Sequence, residues 1–250
     1  MAKFYVVWRG RKAGIYRDWN SCKAQVDGFA GARYKSFPSA AEAEAAFKRV
    51  PQATKPTLKE KPKSPPALTQ AQLSLRLAEV PLALFCDGAC DPNPGKAGTG
   101  MVVYHFGELV GCWYGAYNPH GTNNTAELLG LAKAFEYAQT HISDELIHIY
   151  SDSSYSIKAI TEWAAGWQRR GWQRAGNKPV QNLELIQPLY EQYQQLQGKI
   201  QLQHVAGHAG IEGNELADRM SVIAIQQQSR QWQTYDGPLC IDSILALARG

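Results

Sequence analysis

Two acidic residues share an unusual position. Asp87 closes the apolar run Leu82-Ala83-Leu84-Phe85-Cys86 and is followed at once by Gly88, while Asp152 closes Leu146-Ile147-His148-Ile149-Tyr150-Ser151 and is followed by Ser153. Runs of this kind read as buried strands. A carboxylate at the end of one costs desolvation free energy unless a partner compensates it, and a divalent cation is a common partner. One isolated Asp-Gly is more simply a turn cap. The second copy changes that reading, because neighbouring strands that both end in Asp would bring two carboxylates to one sheet edge. Glu127, three residues after Asn124, and Asp218, one helical turn after Glu215, complete a set of four acids. Taken singly, Glu127 could be the far half of a capping box and Asp218 ordinary surface charge. His208 stands between Gly207 and Ala209-Gly210 in a loop. The spacing His204-x-x-x-His208 crosses from strand to loop and does not read as a zinc pair.

The remaining elements have to position these groups. The turn Asp91-Pro92-Asn93-Pro94-Gly95 follows the first acidic strand, and strands are expected over 82–87, 99–105 and about 108–116. Asn124 opens a helix running to about His141, apolar on most sides and so expected deep against the sheet. After the Asp152 strand come a helix from Ser153 to about Ala164 and the basic, aromatic stretch Trp167-Gln168-Arg169-Arg170-Gly171-Trp172-Gln173-Arg174. A helix from about Val180 to Leu196, a strand from Ile200 to Val205 and a helix from about Glu212 to Gln227 complete the domain. The tail from Trp232 to Gly250 offers a short packing helix around Ile241-Leu245-Leu247.

The first fifty residues have a different pattern. Phe4 to Trp8 reads as a strand, Ile15-Tyr16 begins a second, Asn20 is the expected N-cap of a helix through Val26, and a third strand lies around Arg33 to Phe37. The capping box Ser39-Ala40-Ala41-Glu42 opens an Ala-rich helix to Val50. This is a small ββαβα unit. Residues 51–80 form a Pro/Lys-rich linker that cannot bury a core, with a marginal helix over Gln70–Glu79, and the second domain is placed from 81 to 230.

Charge divides along the same line. Residues 1–80 hold 15 Lys/Arg against 6 Asp/Glu, and residues 81–250 hold 11 against 16, so a net +9 precedes a net −5. A basic first third predicts a polyanionic partner, which the acidic remainder would repel unless bound metal neutralised some carboxylates. No apolar run approaches the roughly 18 residues of a membrane span. Without a secretory signal at the start, and with five cysteines in no paired motif, the expectation is a cytoplasmic protein with reduced core thiols.

Four motifs stand in order: Asp87-Gly88-Ala89-x-x-Pro92-Asn93-Pro94-Gly95, Thr122-Asn123-Asn124-x-x-Glu127, Ser151-Asp152-Ser153 and Gly207-His208-x-Gly210-x-x-Gly213-Asn214-Glu215-x-Ala217-Asp218. Together they resemble the catalytic domain of type 1 ribonucleases H over about residues 82–225. The stretch Phe4 to Tyr16, with Trp19-Asn20-x-Cys22-x-x-Gln25-Val26 and Ala32-Arg33-Tyr34-Lys35-x-Phe37, resembles the RNA–DNA hybrid-binding (viroplasmin-like) domain that precedes many of them.

The resemblance implies an α/β fold with a mixed five-stranded sheet flanked by helices, its first three strands antiparallel. It implies hydrolysis of the RNA strand of RNA–DNA hybrids with two Mg2+ ions, Mn2+ being a substitute, leaving 5′-phosphate and 3′-hydroxyl ends. Asp87 would bridge both ions, Asp218 would hold the water-activating one, Glu127 and Asp152 would serve the leaving-group side, and His208 would assist proton transfer or product release. Asn93, Thr122, Asn123 and Asn124 would meet 2′-hydroxyls and phosphate. Trp167, Arg169, Arg170 and Trp172 would lie in a basic protrusion that grips the DNA strand. In the first domain Trp19, Tyr34 and Lys35 would face DNA and backbone near Arg33 would meet ribose. Ser36 stands where a second lysine is common. Double-stranded RNA is a further candidate ligand for that domain, and a monomer is expected. Two other readings are disfavoured: an integrase-like enzyme sharing the acidic sheet, against which Thr122-Asn123-Asn124 and His208 argue, and a hybrid-binding protein with an inactive second domain, against which retention of all four acids argues.

Overall fold

The computed structural model describes residues 3–29, 31–48 and 70–250. It forms two units, Met1–Ser64 and Pro65–Gly250. In the first, β1 (Phe4–Arg9) pairs antiparallel with both β2 (Gly14–Tyr16) and β3 (Arg33–Phe37). The helices α1 (Trp19–Val26) and α2 (Ala40–Lys48) complete the expected ββαβα order around Val7, Cys22 and Val26. The cap of α1 is Asp18 rather than Asn20. Asp18 has extended backbone and its Oδ1 accepts the Ser21 N–H at 2.8 Å, whereas Asn20 already lies inside the first turn. Ser39 accepts the Glu42 N–H at 3.2 Å, as its half of the box predicts. The expected end of α2 at Val50 and the linker as far as residue 69 fall outside the described residues.

The second unit begins with α3 (Gln70–Glu79), followed by β4 (Ala83–Asp91), β5 (Gly95–His105), β6 (Glu108–Gly121), α4 (Asn123–Thr140) and β7 (Ile147–Ser151). Next, α5 (Ser154–Lys158) runs through a π-helical turn, Ala159–Trp163, into α6 (Ala164–Arg169), so this helical stretch outlasts its expected end at Ala164. A short hairpin of β8 (Gln173–Arg174) and β9 (Lys178–Pro179) leads to α7 (Leu183–Gln195), β10 (Ile200–His204), α8 (Glu212–Gln226), β11 (Gln233–Thr234) and α9 (Ile241–Leu245). The sheet order is β10-β7-β4-β5-β6-β11. As expected, β4, β5 and β6 are antiparallel, and β7 and β10 join in parallel. The sheet has six strands rather than five, because Gln233 and Thr234 of the tail pair with Tyr114 and Trp113. Two residues are too few to carry a readable period.

Side-chain alternation divides the core between the two faces. Leu84, Cys86, Met101 and Val103 pack with α4, α6 and α7 on one side. Phe85, Val102, Tyr104 and Tyr150 pack with α8, α9 and α3 on the other. Helix α3 therefore belongs to this unit and is not a marginal helix of the linker. Leu73 and Leu77 sit in the second cluster, and the Gln70 Oε1 accepts the N–H of Glu212, the first residue of α8, at 2.9 Å. Cys22, Cys86 and Cys112 are buried free thiols, as expected; Cys90 is half-buried and Cys240 exposed. Among the described residues no helix is long and apolar enough to cross a membrane.

Candidate active site

The parallel register of β4 and β7 places the first two acids. Phe85 is opposite Tyr150 and their rings stack 4.7 Å apart; two residues further along each strand stand Asp87 and Asp152. Strand β4 does not end at Asp87, since it continues beside β5 to Asp91. Asp87 instead lies just beyond the last β4–β7 pair, where one neighbour has been lost and space opens at the carboxyl edge. Such an edge is where open α/β sheets place their ligands.

Two glycines let helices from opposite faces reach that edge. A Cβ on Gly88 would lie 2.5 Å from the Glu127 N, so the Asp-Gly pair lets α4 press against β4 and deliver Glu127 beside Asp87. A Cβ on Gly100 would lie 2.6 Å from Met220 Cβ, and its absence lets α8 sit down on β5 with Asp218 facing the same space. Helix α4 is capped by Thr122, which accepts the Thr125 N–H at 3.2 Å, and Thr125 fills the reciprocal position of the capping box. Glu127 is thereby relieved of the capping role that its spacing from Asn124 suggested. Asp218 is 4% exposed, so it is not surface charge.

Asp87, Glu127, Asp152 and Asp218 line one cavity of about 580 Å3, together with Asn123 and His208. Asp87 is 7% exposed. Its carboxyl is held well above the ordinary range by burial and by Asp152, opposed by the N–H of Gly88 at 2.7 Å, with Asp218 and Glu127 adding to the rise. Burial also raises Glu127, against the hydroxyl of Ser153 that hydrogen-bonds its Oε2. Asn214 of α8 donates to Asp152 Oδ2 at 3.2 Å, and His204 Nε2 donates to the Asp152 carbonyl at 3.0 Å.

These local bonds determine how the site meets a cation. Among the described residues no three His, Cys, Asp or Glu side chains are gathered closely enough to enclose an ion. The carboxylates are turned toward Gly88, Ser153, Asn214 and, for Asp218, toward the Arg219 guanidinium at 2.8 Å. The donor set still fits a hard divalent cation. It is all oxygen, it converges on one cavity, and it contains a buried carboxylate whose neighbours are other acids.

The expected nucleic-acid residues fall into three groups. Asn93 and Asn123 meet at the cavity rim, where Asn93 Oδ1 accepts the Asn123 N–H at 3.4 Å and Asn123 Oδ1 is buried without a partner; Asn124 is exposed beside them. Thr122 is spent on the cap. In the basic stretch, Arg169 and Arg170 are exposed, but Trp167 packs on Trp163 and Trp172 on Tyr190. Both indoles are thus partly core, because the turn after α6 folds back over α7. In the first unit Trp19 is 42% and Tyr34 46% exposed, their rings 5.7 Å apart, with exposed Arg33 and Lys35 on the same strand as Tyr34.

Sequence reasoning missed Arg219, buried between Glu215 and Asp218, and the approach of Arg249 and Gly250 to the same two acids. No signal in the tail pointed there. Comparison with known proteins agrees with the geometry. The ribonuclease H family model matches residues 79–226, and the model of the ribonuclease H1 N-terminal domain matches residues 3–47. Ribonuclease H1 of Homo sapiens is 32% identical over 256 residues, spanning 87% of this chain and 87% of that protein. Ribonuclease H of Rhodopirellula baltica is 39% identical over 150 residues, 59% of this chain and 92% of the relative. Among solved structures, LC9-RNase H1, a type 1 RNase H with the type 2 active-site motif, superposes with a TM-score of 0.52 at 25% identity, covering 66% of this chain and 85% of that one. The chain belongs to the ribonuclease H family, as an endoribonuclease acting on the RNA strand of RNA–DNA hybrids.

Proposed function

We propose that the catalytic unit hydrolyses the RNA strand by two-metal chemistry, with Asp87, Glu127, Asp152 and Asp218 holding Mg2+ and the products carrying 5′-phosphate and 3′-hydroxyl ends. The observation that carries this is the convergence of four carboxylates from β4, α4, the end of β7 and α8 on one cavity. Two divalent ions would supply an activated water, neutralise charge on the phosphate and stabilise the leaving oxygen. The rest is work for the chain's own side chains. Ser153, Asn214 and Gly88 hold their carboxylates in fixed rotamers at the cavity wall. Asn93 and Asn123 at the rim read the 2′-hydroxyl, the group that separates RNA from DNA. His208, exposed on the loop before α8 and lining the cavity, moves a proton or eases product departure. The exposed Arg169 and Arg170 contact the DNA backbone, and Trp19, Tyr34, Arg33 and Lys35 of the first unit bind hybrid through stacking and phosphate contacts.

The test is cleavage of a uniformly labelled hybrid beside double-stranded RNA and double-stranded DNA, with the product ends identified by their response to phosphatase. The expected result is hybrid-selective, EDTA-sensitive cleavage that Asp87→Asn abolishes while circular dichroism shows an intact fold. Substantial turnover by the folded Asn variant would refute the assignment.

A further inference from the structure

The tail is anchored and then directed into the acidic cavity. Ile244 of α9 is fully buried, and Ile241, Leu245 and Leu247 pack against the Phe85–Tyr150–Met220 cluster. From that anchor the chain runs to Arg249 and Gly250, both of which line the cavity that holds Asp87, Glu127, Asp152 and Asp218. The Gly250 N–H lies 3.2 Å from each oxygen of Asp218. Arg249 NH2 reaches Glu215 Oε2 at 3.2 Å, sharing that oxygen with Arg219 NH1 at 3.0 Å. A Cβ on residue 250 would lie 2.6 Å from Asp218 Oδ1, so a larger residue here would have to push that carboxylate aside.

We propose that Ala248–Gly250 is a self-inhibitory strap that competes with divalent metal for Asp218. The proposal rests on the metal-binding reading of the four acids. Unlike Asp87 and Asp152, each held by an N–H on one oxygen, Asp218 has both oxygens facing the Gly250 N–H and Oδ2 also taken by Arg219, so a cation reaching Asp218 from the open side has to displace Gly250. The charge arrangement favours this competition, since Arg249 adds a cation, beside the exposed Lys96, to a cavity lined by Asp87, Asp91, Glu127, Asp152 and Asp218. The contact is also built to be released. The Arg249 side chain is 56% exposed, so solvent screens its pair with Glu215, whereas the α9 anchor is apolar and buried. The strap can therefore lift beyond Leu247 while α9 stays seated. If the strapped form predominates, the apparent metal affinity falls by the fraction of molecules with Asp218 uncovered.

The test is calorimetric titration of the metal-free full chain with Mg2+ in the absence of nucleic acid. It is compared with two variants, one lacking residues 248–250 and one carrying Gly250→Pro, which removes the N–H donor and adds a ring where a Cβ alone would lie 2.6 Å from Asp218 Oδ1. Both should bind Mg2+ more tightly, by about 3- to 10-fold for a strap that covers most molecules. Unchanged or weaker binding in both would overturn the strap. A chain whose titration is no different in Asp87→Asn would instead count against the metal-binding reading. In that event the Gly250 amide resonance of the metal-free protein decides on the strap: it should move in Asp218→Asn, and a resonance that stays in place overturns the contact itself.

Discussion

Replacing Asp87 with Asn should stabilise the metal-free protein while destroying its activity. Asp87 is almost fully buried, its carboxyl lies well above the ordinary range, and burial together with Asp152 is the main cause. A carboxyl raised on folding is without penalty in acid, where it is protonated in both states. The penalty grows as pH rises from the unfolded value through the folded one, and it is complete above that. Asn at this position keeps the oxygen that accepts the Gly88 N–H and carries no charge at any pH. Relieving one buried, poorly compensated acceptor is worth about 1–3 kcal/mol. For a protein of this size that corresponds to a rise in Tm of about 2–12 °C. Thermal melts followed by circular dichroism in EDTA should show the increase at neutral pH and its disappearance in acid. Adding Mg2+ should then stabilise the natural protein, by about 2.7 kcal/mol at a hundredfold excess over Kd, and the Asn variant by less. An Asn variant that melts at or below the natural protein in EDTA at neutral pH refutes the account of mutually repelling acids.

His208→Ala should lower kcat by about 100-fold or somewhat less without weakening hybrid binding, in steady-state assays paired with a binding titration; a loss as complete as that of Asp87→Asn would contradict a supporting role. Trp19→Ala should cost about 1–3 kcal/mol in affinity for long hybrids, measured by fluorescence anisotropy. The affinity of the natural chain should fall steeply with salt. Leu73→Ala, emptying a fully buried position of α3, should destabilise the catalytic unit by about 2–5 kcal/mol in urea melts. A change below ~0.5 kcal/mol would mean that α3 is the loosely attached helix its sequence suggested.

The residues readable in advance were those whose spacing is local and whose chemistry is costly to misplace. Asp87 and Asp152 stood out because a carboxylate after an apolar run needs an explanation, and the ββαβα and catalytic element orders followed from periodicity. Cap assignment was less accurate. Asp18 and Asn20 are both good caps, as are Thr122 and Asn124, and which one serves depends on backbone angles that composition does not encode. Helix α3 looked marginal because its apolar positions Leu73 and Leu77 gain value only from a sheet face supplied by distant strands. Trp167 and Trp172 enter through the resemblance, and spacing does not show that their rings also pack on Trp163 and Tyr190. The contacts of Arg249 and Gly250 were unreadable, because they join residues more than thirty positions apart through one N–H and one guanidinium.

The four carboxylates are supplied by four separate pieces of the fold, the last of them α8. Strand β4 and its antiparallel partners can pair early during synthesis, but the parallel addition of β7 and the seating of α8 come later in the chain. A nascent chain that has released only β4 to β7 carries Asp87, Glu127 and Asp152 and lacks Asp218, so its cavity has no fourth wall. The nascent chain therefore carries an incomplete nuclease, and the site closes only once Gly100 has received α8.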